Sequence, residues 1–226
     1  MSERRKGSFG AAAIAVGVTA AILLSGCGPT DSAAAPRTAV AAKAQDVRPL
    51  GVGQAVPDVT LTAADGQAVS LGQAVTEAPT VIIFYRGGWC VYCNRQLDGL
   101  RGVQDELISM GYQVIAISPD RPANAANTAA VKQVRYAVLS DSDMAAAKAF
   151  GLAFQLDEMT VRMYKGLHGI DLEDASGRTH RQLPVPAVFI AGPDGLIRYA
   201  YHNPNYKVRL SPEALLAAAR EAMQPG

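Results

Sequence analysis

The run Phe84–Gln96, FYRGGWCVYCNRQ, places Cys90 and Cys93 three positions apart. At the first turn of a helix that spacing brings two sulfurs close enough to bond, with one of them at the helix start. The unpaired amides and the helix dipole there favour a negative sulfur. A cysteine so placed can have its pKa lowered from about 8.5 into the range of roughly 3.5 to 7.5. The resulting thiolate is the nucleophile that disulfide exchange or peroxide reduction requires. Zinc would need two further ligands, and His168, His180 and His202 are scattered without metal-ligand spacing. A purely structural disulfide across so short a loop would restrict little chain entropy. Two inert buried thiols would be out of place at the mouth of a helix. A redox pair is therefore the leading expectation, with no metal and no cofactor.

The elements that must hold this pair follow from periodicity. Thr80–Tyr85 (TVIIFY) is a continuous apolar and β-branched run, suited to a central strand covered on both faces. After Cys93, Leu97, Leu100, Val103, Leu107 and Met110 recur at three and four, predicting a helix that Gly111 stops. Upstream, Asp58–Ala63 and Gln67–Leu71 flank Asp65-Gly66 as a hairpin. Downstream, strands are expected at Tyr112–Ile117 and Tyr136–Leu139, and helices at Ala123–Lys132 and Asp143–Phe150. Leu152 to Leu183 carries no clean period and reads as an insertion. Ala187–Ala191 and Leu196–Tyr201 then form a hairpin about Pro193-Asp194-Gly195, and Ser211-Pro212 opens a last helix running to about Met223. The pattern predicts an α/β fold: a mixed central sheet flanked by helices, with an N-terminal hairpin and an insertion before the last hairpin. With a Cys-x-x-Cys between strand and helix, it resembles a thioredoxin fold.

The charges nearly cancel, Lys+Arg 21 against Asp+Glu 20, and no basic run is interleaved with aromatics, so no nucleic-acid partner is expected. The first residues stand apart from the core. Arg4, Arg5 and Lys6 precede the apolar run Ala11–Leu24, which closes in Leu24-Ser25-Gly26-Cys27. That is the layout of a secretory signal, and the run is short for a membrane span. The ending LSGC resembles a bacterial lipobox, which implies cleavage after residue 26, acylation of Cys27 and an extracytoplasmic protein anchored to a bacterial membrane. Acyl chains hold firmly, since each buried methylene contributes about 0.8 kcal/mol. With Cys27 taken by lipid, two of the three cysteines remain. Small residues and prolines over residues 27–48 predict a flexible tether, leaving 49–226 as the redox domain.

Three blocks, FYRGGWC-x-x-C, ISPD (Ile117–Asp120) and LSDSDMAAAKAFGL (Leu139–Leu152), resemble the alkyl hydroperoxide reductase/thiol-specific antioxidant superfamily. Within it the chain is similar to a peroxiredoxin-like group with a tryptophan-flanked Cys-x-x-Cys, and the tail YKVRLSPEALL (Tyr206–Leu216) fits that group's ending. The resemblance implies a thioredoxin-fold thiol peroxidase that reduces hydroperoxides and is reset by a thioredoxin-like dithiol donor.

Two registers then assign the pair in opposite ways. The peroxiredoxin pattern, a proline, a threonine four positions on and the attacking cysteine three further, falls here on Arg86, Cys90 and Cys93. It makes Cys93 the nucleophile. The thioredoxin pattern Trp-Cys-x-x-Cys makes Cys90 the nucleophile and Cys93 the resolver. Peroxiredoxins also place an arginine three residues before the phenylalanine of a later strand. Counting back from Phe189 gives Pro186, which instead suits the cis-proline of thioredoxins. Arg86, Arg95 and Arg209 are candidates for the missing arginine: Arg86 is placed to bind peroxide or stabilise a thiolate, while Arg95 and Arg209 read first as solvated surface residues. Trp89 could shield the sulfurs or form a docking face. Met159, Met163, Tyr164 and Leu167 of the insertion could edge a pocket, with core or lid packing the alternative. The rival function is a membrane-anchored, thioredoxin-like protein disulfide reductase. A copper-handling envelope protein of the same fold is a third, although its relatives space their cysteines one residue wider.

Overall fold

The computed structural model describes residues 38–223. The signal segment, Cys27 and the first part of the expected tether lie outside them.

The hairpin of β1 (Thr60–Thr62) and β2 (Ala68–Ser70) is antiparallel, with Leu61 opposite Val69. Ser70 then caps a helix that periodicity did not reveal, α1 (Leu71–Glu77), by accepting the Gln73 N–H at 3.0 Å. The run TVIIFY forms β3 (Thr80–Phe84), every residue of which is buried. It leads through a short turn into α2 (Val91–Ser109), whose inward stripe includes Cys93, Leu97, Leu100 and Leu107. Gly111, at φ +86°, follows the helix end and turns the chain into β4 (Gln113–Ser118). Next come α3 (Pro122–Lys132), β5 (Ala137–Ser140) and the short α4 (Ala145–Ala149).

The stretch expected to be an aperiodic insertion is folded. It holds β6 (Ala153–Gln155), α5 (Glu158–His168), α6 (Leu172–Ser176) and β7 (Gln182–Pro184). Asp157 caps α5 and Asp171 caps α6, while Gly169 and Gly177 end them in left-handed conformation. α6, at five residues, leaves too little length for a period to register, and α5 leaves its apolar Met159, Met163 and Leu167 exposed, so they mark no core face. β8 (Ala187–Ala191), β9 (Ile197–His202) and α7 (Pro212–Ala222) complete the chain.

The main sheet runs β2-β1-β5-β4-β3-β8-β9, and β6 pairs with β7 in a separate ribbon. β3, β4 and β5 are parallel, whereas β1, β8 and β9 join antiparallel, so the sheet is mixed as expected. Alternation along β3 splits the core. Ile82 and Phe84 meet Phe150 and Phe189 on one face; Val81, Ile83 and Tyr85 meet Cys93, Leu97 and Leu215 on the other.

The end of the stretch expected to be tether is docked. Ala41 exchanges backbone hydrogen bonds with Ala153 and Gln155, both at 2.9 Å, and Val47 and Leu50 are buried. The edge of β6 offers unpaired amides and carbonyls, and the preceding chain satisfies them. Among the described residues no helix is long and apolar enough to cross a membrane.

Candidate active site

Cys90 and Cys93 are both free thiols, both buried, and belong to the core on the α2 side of the sheet. β3 ends at Phe84, and Tyr85 N donates to Ile117 O at 3.0 Å, so the turn begins from a fixed point. Gly87 carries φ +141°, and a Cβ there would run into the Trp89 indole and lie 2.8 Å from Asp120 Oδ1. Gly88 N donates to Asp120 Oδ2 at 2.7 Å, and Asn94 Nδ2 returns a bond to Gly88 O at 2.8 Å. This turn sets Cys90 as the residue that caps α2, with Cys93 one turn in on the buried side.

Two donors from distant parts of the chain converge on Cys93. The Arg86 backbone N–H lies 3.4 Å from Sγ, and Arg209 Nη2 lies 3.3 Å from it. Arg209 comes from the loop between β9 and α7. The half-buried Arg209 side chain is thus no solvated surface residue, contrary to expectation: the loop ahead of α7 folds back over the start of α2. Arg95 does sit in solvent, over the Tyr92 ring.

The pair ionises as a unit. Cys90 is pulled down to about 6, first by the S–H it accepts from Cys93, then by the Cys93 amide and the charges of Arg86 and Arg209. Cys93 is pushed up, first by burial and then by its hydrogen bond and charge contact with Cys90. Burial therefore favours the remaining proton on Cys93. The N–H donors of Arg86 and Arg209 oppose burial, because a Cys93 thiolate would accept from both and from the Cys90 S–H as well. One proton held between two sulfurs can pass from one to the other along a single hydrogen bond.

Arg86 is buried, with no carboxylate partner among the described residues. Its guanidinium lies 4.2 Å from the Tyr206 ring centroid and 5.4 Å from those of Trp89 and Tyr164, and Nη2 donates to Tyr164 Oη. Three aromatic faces supply the negative potential that a counter-ion would otherwise provide. Tyr164 is the one residue of the insertion quartet drawn into the site. Met159, Met163 and Leu167 are exposed on the outer side of α5, so the expectation of core packing fails for them. Trp89 is half-buried, with its ring 5.8 Å from that of Tyr164.

Pro186 lines a cleft of about 210 Å³ with Arg86, Phe154, Tyr164 and Tyr206. Its peptide bond is trans, since no cis bond occurs among the described residues, and the thioredoxin-type cis-proline is not present. Just ahead of Pro186 and β8, Val185 donates its N–H to Leu152 O at 2.9 Å. Among the described residues no three His, Cys, Asp or Glu side chains are grouped to hold a metal ion.

Residues 52–200 match the family described as AhpC/TSA. The chain belongs to that family. Peroxiredoxin Bcp of Escherichia coli is 32% identical over 137 residues, spanning 58% of this chain and 84% of that protein. The corresponding protein of Haemophilus influenzae is 34% identical over 124 residues, 55% of this chain and 79% of its own. In fold, the chain is similar to peroxidoxin BcpB from Mycobacterium tuberculosis, at TM-score 0.61 and 19% identity, over 78% of this chain and 99% of that one. Peroxiredoxin Q of Xanthomonas campestris superposes at TM-score 0.55 and 21% identity, over 76% and 96%. The thioredoxin-like architecture expected from the sequence is thereby shown, and the protein is a thiol-dependent oxidoreductase of the peroxiredoxin type.

Arg209 was one of three candidate arginines in the sequence, Tyr206 was visible only as part of a tail, and Asp120 only as part of ISPD. Nothing in local spacing tied them to the cysteines.

Proposed function

We propose that this protein is a thiol peroxidase in which Cys93 attacks the hydroperoxide, Cys90 resolves, and Arg209 supplies the cation that the family places elsewhere. The observation that carries this reading is the convergence of Arg86 N–H and Arg209 Nη2 on Cys93 Sγ.

The pair rests with its one proton on Cys93, and the cycle starts when that proton passes along the shared hydrogen bond to Cys90. The Cys93 thiolate attacks the terminal oxygen of R–O–OH, forming Cys93–S–OH and breaking the O–O bond. Arg209, whose Nη2 lies 3.3 Å from the sulfur, stabilises charge on the departing oxygen as it develops. The alkoxide takes the proton from Cys90, giving ROH and a Cys90 thiolate. That thiolate attacks the Cys93 sulfur and expels hydroxide, which solvent protonates to water. The Cys90–Cys93 disulfide is then reduced by an external dithiol of the thioredoxin type through a mixed disulfide.

The test uses Cys90→Ser and Cys93→Ser proteins, reduced and mixed with hydrogen peroxide, with sulfenic acid trapped and located by mass spectrometry. Fast sulfenate on Cys93 in the Cys90→Ser protein is expected. No rate above a free thiol at either sulfur, with Cys90 instead trapping disulfide substrates, would turn the reading to a disulfide reductase. One observation favours that second reading: Cys90 is the outer sulfur, at the open start of α2, and carries the lowered pKa.

Anchoring through an acylated Cys27, and hence an extracytoplasmic place on a bacterial membrane, is part of the same proposal. It rests on the sequence LSGC following a charged and then apolar start. Fatty-acid labelling of the protein in cells, with Cys27→Ser as the control, tests it.

A further inference from the structure

A second cavity lies beside the cysteine turn. It is a cleft of about 410 Å³ between α3 and the α5–α6 segment, bordered by Trp89, Asn94, Asp120, Asn124 and Asn127. Its polar groups are biased toward acceptors. Asp120 is almost wholly buried and has no cationic partner among the described residues; Oδ2 takes the Gly88 N–H and the Ser118 hydroxyl, and none of those residues donates to Oδ1. Asn94 and Asn124 donate through Nδ2 to the carbonyls of Gly88 and Ala175, at 2.8 and 2.9 Å, which leaves both Oδ1 atoms open. Other charged side chains on the rim are already paired: Lys132 with Asp98, Asp171 with Lys165 and Asp174 with Arg121. Asp120 is the one uncompensated charge, and it stands beside an indole.

A buried carboxylate with a free oxygen, open amide acceptors and an aromatic face form a receptor for an ammonium group. The position relative to Cys90 decides what the ammonium would belong to. Trp89 immediately precedes Cys90, Asn94 N bonds to Cys90 O at 2.9 Å, and Asp120 is near enough to Cys90 for their charges to interact. We infer that this cleft binds a small ammonium-bearing thiol that reduces the Cys90–Cys93 disulfide by a second route beside the dithiol donor, seating the ammonium on Asp120 and Trp89 with the sulfur toward Cys90.

The chemistry balances on the groups present. The thiolate RS⁻ attacks Cys90 of the disulfide, forming R–S–S–Cys90 and expelling the Cys93 thiolate, which Arg86 N–H and Arg209 receive. A second RS⁻ attacks the mixed disulfide, releasing RSSR and the Cys90 thiolate. Two electrons pass from two thiols to the pair, and solvent returns one proton to it. This inference rests on the peroxidase cycle for its place in turnover, but the reduction step can be read without peroxide.

The test takes the full chain in its disulfide form and measures its second-order reduction by cysteamine, 2-mercaptoethanol and 3-mercaptopropionate, each corrected for its thiolate fraction. Trp89, the sole tryptophan, lies in the cleft and reports binding and reduction by fluorescence. Cysteamine should react about tenfold faster than the neutral thiol and faster still than the anionic one, the size of one charge-assisted contact. Ethanolamine should compete and shift the Trp89 emission. Asp120→Asn, which keeps an acceptor for Gly88 N–H, and Asn127→Leu, on the exposed face of α3, should bring the three rates together. Equal rates in the parent protein would overturn the site. So would an Asp120→Asn effect that slows all three thiols alike, which would make Asp120 a support of the turn. Peroxide oxidation of the reduced protein, followed separately, shows whether the peroxidase reading stands whatever happens here.

Discussion

Arg209 Nη2 lies 3.3 Å from Cys93 Sγ, across 116 residues of chain. Nη1 of the same guanidinium bonds to Val208 O, while Nε is buried without a partner. No carboxylate among the described residues pairs with it, so its charge is directed at the sulfur.

Removing that charge should therefore cost rate rather than fold. Arg209→Gln is expected to slow oxidation of the reduced pair by hydrogen peroxide about 10²-fold, the usual loss for one donor at a developing oxyanion. Arg209→Lys should recover little, because an ammonium cannot reproduce the planar donor set. Stopped-flow Trp89 fluorescence gives the rate, and an unchanged melting temperature shows the fold is kept. A variant as fast as the parent would remove Arg209 from the mechanism.

The first ionisation of the pair gives a pH dependence with a definite sign. The lowered pKa of about 6 on Cys90 means that thiolate grows as pH rises through 6. Alkylation by iodoacetamide and oxidation by peroxide should both rise over pH 5 to 7 and then level off. Because the leading cause is the hydrogen bond from Cys93, Cys93→Ala should move the alkylation midpoint of Cys90 upward, toward the ordinary thiol range. A midpoint that stays near 6 in that variant would mean the helix start and the arginines are sufficient alone.

Gly87 is the residue that lets the turn pass between indole and carboxylate. With φ +141° and no room for a Cβ against Trp89 and Asp120, Gly87→Ala should displace the turn and lower peroxide reactivity at least tenfold. The Trp89 emission maximum should move with it. Gly66→Ala makes a fair control: it is also at positive φ, but with open space around it in the β1–β2 turn. It should cost some stability and no reactivity.

Asp141 tests the fold away from the chemistry. Its buried carboxylate accepts the Ala146 and Ala147 N–H groups at 3.0 and 2.8 Å, closing the open start of α4. Asp141→Ala should destabilise by about 1–3 kcal/mol in chemical denaturation, since two buried donors lose their acceptor. Burial holds the Asp141 pKa up at about 7, above its unfolded value. The folded state therefore binds the extra proton between about pH 4 and 7, and stability from this group falls as pH rises through that window. Asp141→Asn should flatten that slope.

The sequence by itself determined the chemistry and most of the frame. Cys-x-x-Cys after a doubly buried strand, the heptad-like stripe of α2 and the hairpin turns at Asp65-Gly66 and Asp194-Gly195 are local patterns, fixed by periods of 3.6 and 2 and by the few conformations that tight turns allow. What it could not determine were the relations made by folding back. α1 and α6 are short and held by caps, so they leave little periodic trace, and α5 turns Met159, Met163 and Leu167 outward, so its apolar residues mark no core face. Pro186 stands at the expected place, yet its peptide bond is trans, and the Val185 N–H just before it bonds to Leu152 O, a partner 33 positions away in sequence. Only the tertiary structure brings Arg209, Tyr206 and Tyr164 to the cysteines, because their approach depends on where α7 and the insertion pack against the sheet. Thiol chemistry is written in neighbours along the chain. The charge that tunes it arrives from across the fold, through packing that no local spacing encodes.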